Sequence, residues 1–185
     1  MSANDTLWVD LDNTQINWIG RKVTGEHSGN LDLSDGWIII ENGSLKGGQL
    51  IFDMNSITNT DIESPEWKLK LENHLKNDDF FAVDSFPHSM LHINGSEVFT
   101  KQKSVNNHKI IAKLTIRGIT EDISFPILLR ESNSIFYAEG NVDINRTLFN
   151  IRYKSGEFFP DLGDKIIYDL FSVQFFIQTI VNKKN

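Results

Sequence analysis

The side chains best able to move a proton or grip an anion in this chain are five histidines, Arg117, Arg146 and Tyr153. His27 sits among small residues in VTGEHSG, and His74 falls on the apolar side of a helical stretch. At the mouth of a cavity, facing a carbonyl or phosphate, either could act as acid or base. A histidine on an apolar face is more commonly a core residue bonded to backbone, and both readings stand. His88 and His92 lie four apart in a strand-like run, where that spacing is not a strong metal signature, and without an H-E-x-x-H set no metal site is expected. The carboxylates are framed by no catalytic motif. G-x-S-x-G, P-loop and dinucleotide fingerprints are all missing from the sequence. With no cysteine there is no thiolate chemistry, disulfide framework or thiolate zinc site. No catalytic residue and no cofactor are assigned. Arg117 and Arg146 could cap a phosphate or a quinone oxygen, or serve as structural ion pairs. Tyr153 could meet a polar head group or close a rim.

These residues must be held by elements, and one stretch reads as a helix, over about 65–76. Ser64 suits the N-cap and Pro65 the first helical position, where a missing N–H costs nothing. Trp67, Leu71, His74 and Leu75 share a face. Asn77-Asp78-Asp79 stops the helix, because short polar side chains compete for the backbone. Carboxylates at a helix C-terminus oppose the dipole, so a tertiary contact is expected to hold that turn. Phe80 and Phe81 follow and need apolar cover.

The rest alternates like strands. Gln15–Trp18 is one, with a break or bulge at Gly20. The small residues from Val23 to Gly29 suggest close backbone approach or a bend. Asp35-Gly36 and Asn42-Gly43 read as hairpin turns around Trp37–Ile40. Gly47-Gly48 precedes a strand in which Leu50, Phe52 and Met54 share a face, and the polar run Asn55–Ser64 leads to the helix. Leu91 and Ile93 flank His92, and Asn94-Gly95 is a turn or bulge. Three further faces follow: Ile110, Ala112, Leu114 and Ile116; Ile123, Phe125, Ile127 and Leu129; and Phe136, Ala138, Gly140, Val142 and Ile144. Phe149–Ser155 reads as strand and Glu157–Lys165 as loop. Ile167–Val181 is expected to be the longest strand, with Phe171, Val173, Phe175 and Ile177 on one side. About eight short-spaced strands and one helix make an all-β barrel or sandwich.

At 185 residues the chain is expected to be a single domain, 1–185. Its formal charge of −7 argues against a nucleic-acid partner, and no run is long enough to span a membrane as a helix. MSANDTLWVD has no apolar leader core. A cytoplasmic protein is expected if Met1 is the native start, and a periplasmic one if a leader has been removed. Four glycosylation sequons, at Asn4, Asn42, Asn94 and Asn145, read as chance matches.

The run HLKNDDFFAVDSFP (residues 74–87) resembles the signature of the YceI-like polyisoprenoid-binding family. WIGRKVTGEHSG (18–29), GGQLIFDMNSITNTD (47–61), KLTIRGIT (113–120) and DINRTLFNIRYKSG (143–156) are similar to the same family, in its order. The resemblance implies a closed antiparallel lipocalin-like β-barrel of about eight strands with one short helix. It implies a long-chain lipid ligand, foremost a prenyl quinone or prenyl phosphate, bound in an elongated cavity for transport, storage or sequestration. A stress-related bacterial role and a possible homodimer come by the same analogy. Under that resemblance the ligand-binding candidates are His27, Phe52, His74, Phe80, Phe81, Phe125, Arg146, Phe149, Tyr153, Phe171 and Phe175. Asn145 departs from the family's usual aspartate before the arginine, which leaves Arg146 to pair elsewhere or to face an anionic head group. An enzyme using His27 or His74, and a solid barrel that binds proteins, are the alternatives. A cavity of several hundred Å³ would favour the lipid binder.

Overall fold

The structure is a computed structural model that describes residues 5–101 and 103–180, with Asp5 described by its backbone alone. Asn4 of the first sequon and Val181 of the last strand lie outside the described residues. The elements are β1 (Asp5–Val9), β2 (Gln15–Lys22), β3 (Gly25–Glu41), β4 (Ser44–Asn59), α1 (Pro65–Lys76), β5 (His88–Val98), β6 (His108–Ile116), β7 (Ile119–Ser132), β8 (Ile135–Asn145) and β9 (Leu170–Ile180). Single turns of 3-10 helix lie at Arg146–Phe149 and Gly163–Lys165.

β2 through β9 form an antiparallel meander that closes on itself where β2 pairs β9. The expected eight-stranded barrel is therefore present, with β1 as an extra strand. β1 pairs the far halves of β3 and β9 (Leu7 opposite Ile38, Trp8 opposite Ile180), while β2 pairs their near halves. β1 and β2 thus occupy one rank of the barrel, interrupted at residues 10–14. Among the described residues each strand has a paired neighbour on both sides, which leaves little edge to template aggregation.

Several local expectations give way to the ladders. β3 runs straight through Asp35-Gly36, so that pair is no hairpin turn. Register shifts at Asn30/Asp32 and Leu33/Asp35 absorb the irregularity, and such bulges add the twist that lets long strands wrap a barrel. Gly36 packs beneath Val9 of β1. The Asn42-Gly43 turn does form, with both residues at positive φ (52° and 72°), the conformation a two-residue hairpin requires. β2 likewise continues past Gly20. Gly47-Gly48 lies inside β4, which also absorbs Asn55–Asn59. β3, with 17 residues, is the longest strand; β9 has 11. Phe149–Ser155 is turn rather than strand. The Asn145 carboxamide oxygen accepts from both Thr147 N (3.0 Å) and Thr147 Oγ1 (2.8 Å), which starts a 3-10 turn instead.

α1 covers the end of the barrel at which β4 leaves and β5 begins. It starts at Ser64 as expected, without a side-chain cap, and none of its residues is fully buried. Trp67 is 57% exposed, against the expected apolar face, and Lys70 stacks over its ring. Leu75 of that face does pack against the core, and a polar contact adds to it: the Glu72 carboxylate accepts from Asn59 N at 2.7 Å. The acidic terminus is offset locally by His74, whose Nε2 lies 3.0 Å from Asp79. The expected tertiary hold is supplied by Arg117, which donates to Phe80 O at 2.9 Å and Asn150 O at 3.2 Å. That use as a strap accounts for Arg117 without an anion.

Candidate lipid-binding site

Every second residue of β6 to β9 points inward, as their alternation predicts, and these faces meet β2 to β5 around a cavity. Its wall includes Leu45, Ile93, Leu129 and Phe136 towards the β3–β4 hairpin, and Leu114, Phe125, Ile127 and Phe175 in the middle. Trp18, Met54, Leu75, Phe81 and Ile167 complete it at the helix end. On β7 alone the lining runs from Ile123 to Leu129, about 20 Å at strand rise. The cavity measures about 200 Å³, less than the several hundred expected and below the usual range for ligand pockets. The reason is aromatic. Phe125 and Phe175 meet edge to face at 5.9 Å, and Phe81 and Phe171 at 6.3 Å, narrowing the bore. Gly140, opposite Phe175, makes room for that ring: a Cβ there would lie 2.8 Å from it.

Of the expected residues, Phe52, Phe80, Phe81, Phe125, Phe171, Phe175 and Arg146 line this cavity. His27, His74, Phe149 and Tyr153 lie outside its lining. Phe149 is 2% exposed and packs in the closure beneath the barrel. His74, Phe80 and Tyr153 form an aromatic cluster with centroids 4.8 to 5.5 Å apart, sealing the helix end from outside.

Arg146 is 4% exposed. Its guanidinium donates to the carbonyls of Tyr168 (3.1 Å), Ile151 (2.9 Å) and Ile167 (2.9 Å), and lies 3.2 Å from Asp169. Burial lowers its pKa and Asp169 opposes the shift. With Asn145 neutral, Asp169 takes the ion-pair role, and each guanidinium nitrogen of Arg146 has a partner within the protein.

His27 is likewise committed. Its Nδ1 lies 2.8 Å from Asp61, which also accepts from Ser28 N (2.8 Å) and Asn59 Nδ2 (2.5 Å). This staple fixes the start of β3 to the end of β4. There Gly29 crosses so close that a Cβ would fall 1.7 Å from Thr58 O. Trp18 covers the crossing and donates to the same oxygen at 3.1 Å. Burial pushes the Asp61 carboxyl up, but the bonds from Ser28, His27 and Asn59 outweigh it and hold the group below its ordinary 3.8. A depressed carboxyl stabilises the fold above its unfolded pKa, and that contribution is lost as pH falls through the folded value. Asp61→Asn is accordingly expected to lower Tm at pH 7, with the difference from the native chain shrinking below about pH 4. Melts at pH 7 and pH 3 check this; an equal difference at both would contradict it.

Sequence reading missed Trp18, Gly20, Arg21 and Tyr168, all in the cavity wall. Arg21 and Tyr168 mark where the wall opens. The β2–β9 ladder ends at Ile19 opposite Ser172, and beyond that gap the chains re-engage where Tyr168 N donates to Arg21 O at 2.9 Å and Lys22 pairs Ile167.

A YceI-like domain model matches residues 8–179. The chain belongs to the YceI-like family. Among curated proteins it is similar to the UPF0312 protein SA2479 of Staphylococcus aureus (strain N315), 36% identical over 56 residues. That match covers 30% of this chain and 28% of the relative. Solved structures share the YceI-like fold. Burkholderia cenocepacia BcnA superposes with a TM-score of 0.71 at 17% identity, over 93% of this chain and 99% of that one. A domain from Saccharophagus degradans, described as polyisoprenoid binding and implicated in plant cell wall breakdown, gives 0.66 at 14% identity, over 96% and 98%. The Campylobacter jejuni YCEI protein gives 0.55 at 19% identity, over 77% and 75%. Among the described residues of this YceI-like chain, no three carboxylates or histidines gather as a metal site, and no helix is long and apolar enough to cross a membrane.

Proposed function

We propose that the chain is a non-catalytic carrier of a long apolar lipid, foremost a polyisoprenoid, held with its tail along the barrel axis. The observation that carries this reading is the continuous carbon wall, whose polar side chains stand near its ends: Ser89 and the Arg21–Arg146–Tyr168 group at one, Thr179 at the other. Such a bore can hold a tail and recognise little along its length. Each isoprene unit transfers about five carbons out of water, worth roughly 4 kcal/mol gross, of which ordering and lost translation cancel a large part. Phe52, Phe80, Phe81, Phe125, Phe171 and Phe175 would contact the tail, while His27, His74, Phe149 and Tyr153 would hold the closure. Membership in the YceI-like family and the likeness to a polyisoprenoid-binding domain support the same reading. A catalytic role is disfavoured, since His27 and His74 each face a carboxylate away from the cavity lining. The test is native mass spectrometry of the purified chain, followed by organic extraction and lipid identification. A co-purifying or readily loaded prenyl lipid is expected. No bound mass and no uptake of added prenyl lipids would refute the carrier.

A further inference from the structure

The cavity and an open depression outside it share Arg21, Ile167 and Tyr168 in their walls. Half of the exposed large apolar side chains among the described residues stand on the segments that border this depression: Val23, Leu148, Phe158, Phe159, Tyr168 and Leu170. Tyr168 and Leu170 line it. Val23 N donates to Ile166 O, on its wall, at 3.3 Å. Phe158 and Phe159 follow Gly156, another wall residue, and turn back on Ser155 O at 3.2 and 2.9 Å. Leu148 belongs to the 3-10 turn that begins where Asn145 pairs Leu170. The other half are spread over the loop after β1, α1, β5, β6 and the loop between those two strands. A concentration of this kind at one opening marks a contact surface, which singly scattered apolar residues do not.

The charges beside it fit a phospholipid surface. Lys22, Arg152, Lys154 and Lys165 stand on the same segments, and their stems can lie along apolar matter while the cations reach the phosphate layer. Arg152 already lays its guanidinium over the Phe158 ring, 4.5 Å from the centroid. Arg21 spends Nε on Glu26 (3.2 Å) and Nη1 on Ser172 (2.8 Å), and its Nη2 keeps N–H groups without a partner among the described residues. A phosphodiester oxygen is a fitting acceptor for them. Glu26, Asp143, Glu157, Asp161 and Asp164 offset the five cations, so this region is close to neutral in a chain of formal charge −7. That balance suits a zwitterionic bilayer and does not call for an anionic one.

We infer that this patch seats the chain on a phospholipid bilayer with the opening towards the membrane, so that an apolar lipid passes between bilayer and bore without crossing water. Aromatic rings and apolar side chains rimmed by long cations are the composition that lies at the membrane interface. The seat rests on the exposed patch, and its use in loading rests on the carrier reading above.

The test is flotation of the full chain with vesicles of palmitoyl-oleoyl phosphatidylcholine. The native chain is expected to float with them. The double variant Phe158→Ser/Phe159→Ser and, on another border of the depression, Val23→Asp should each partition at least tenfold less. None of these side chains lines the cavity, so both variants should bind geranylgeraniol, a C20 prenyl alcohol, as the native chain does. Added salt should change native flotation less than twofold, because the seat is chiefly apolar. A native chain that stays below the vesicles, or variants that both float as it does, would overturn the seat. Absence of flotation together with a native dimer that both variants dissociate in sedimentation velocity would overturn it as well, and would assign the patch to a second copy of the chain. Flotation lost in the variants, without geranylgeraniol binding by any of the three, would uphold the seat and refute the carrier reading.

Discussion

Replacing Arg146 with methionine is expected to destabilise the fold by about 3–5 kcal/mol, the usual cost of breaking a buried, hydrogen-bonded ion pair from one side. Methionine keeps most of the volume, so the effect isolates the guanidinium. Its removal strands the buried carbonyl of Ile151 and the part-buried carbonyls of Ile167 and Tyr168, and leaves Asp169 without its cation. Those carbonyls belong to the segment that joins the 3-10 turn to β9, so the helix-end closure loosens with them. Arg146→Lys should recover only part of the loss, since an ammonium cannot reach three carbonyls from a planar fork. Urea unfolding measures this directly. A loss under about 1 kcal/mol for the methionine variant would mean that Arg146 does not hold the closure.

Gly20→Phe is expected to weaken binding of geranylgeraniol on the order of a hundredfold, about 2.7 kcal/mol, with little change in Tm. Gly20 faces the cavity, and a Cβ added there meets nothing within 4 Å. Its φ is not in the left-handed region, so an L side chain fits the strand. A phenyl ring would occupy space equivalent to roughly one isoprene unit, near the opening through which the tail must pass. Gly20→Ala, which adds a single methyl, should cost far less. A folded Gly20→Phe variant of native affinity would show that the tail does not pass this wall.

The inward faces of β6 to β9 were legible because strict alternation admits one register, and a slip of one residue would turn each face outward. The helix was legible from its Pro65 start and Asn77 stop. The exposure of Trp67 was not, because it shares the helical spacing of Leu75, which packs on the core, yet stands about two turns earlier, clear of it. Asp35-Gly36 misled for a related reason: turn chemistry is a local preference, and two flanking ladders outweigh it. Among the candidate site residues, Phe52, Phe125, Phe171 and Phe175 stand on strands and could be read from period alone, whereas Phe80 and Phe81 lie in the turn after the helix, where no alternation exists. Phe149 could not be separated from them, since alternation ends at Asn145 and its burial is set by the turn that follows. Arg21 escaped notice because an arginine in a strand reads as a solvated face. It reaches the opening only because the β2–β9 ladder stops early, and no spacing in the sequence encodes that. Arg146 carried a signal in Asn145, and the answer lay 23 positions on, at Asp169.

The central claim is that the barrel interior holds the tail, and isotope-filtered NMR on methyl-labelled protein loaded with geranylgeraniol tests it most directly. The account predicts contacts from tail protons to the inward methyls of Leu114, Ile127 and Ile177, and none to Ile111, which is 39% exposed on the outer face of β6. Contacts confined to outward methyls, with Leu114 and Ile127 silent, would contradict it.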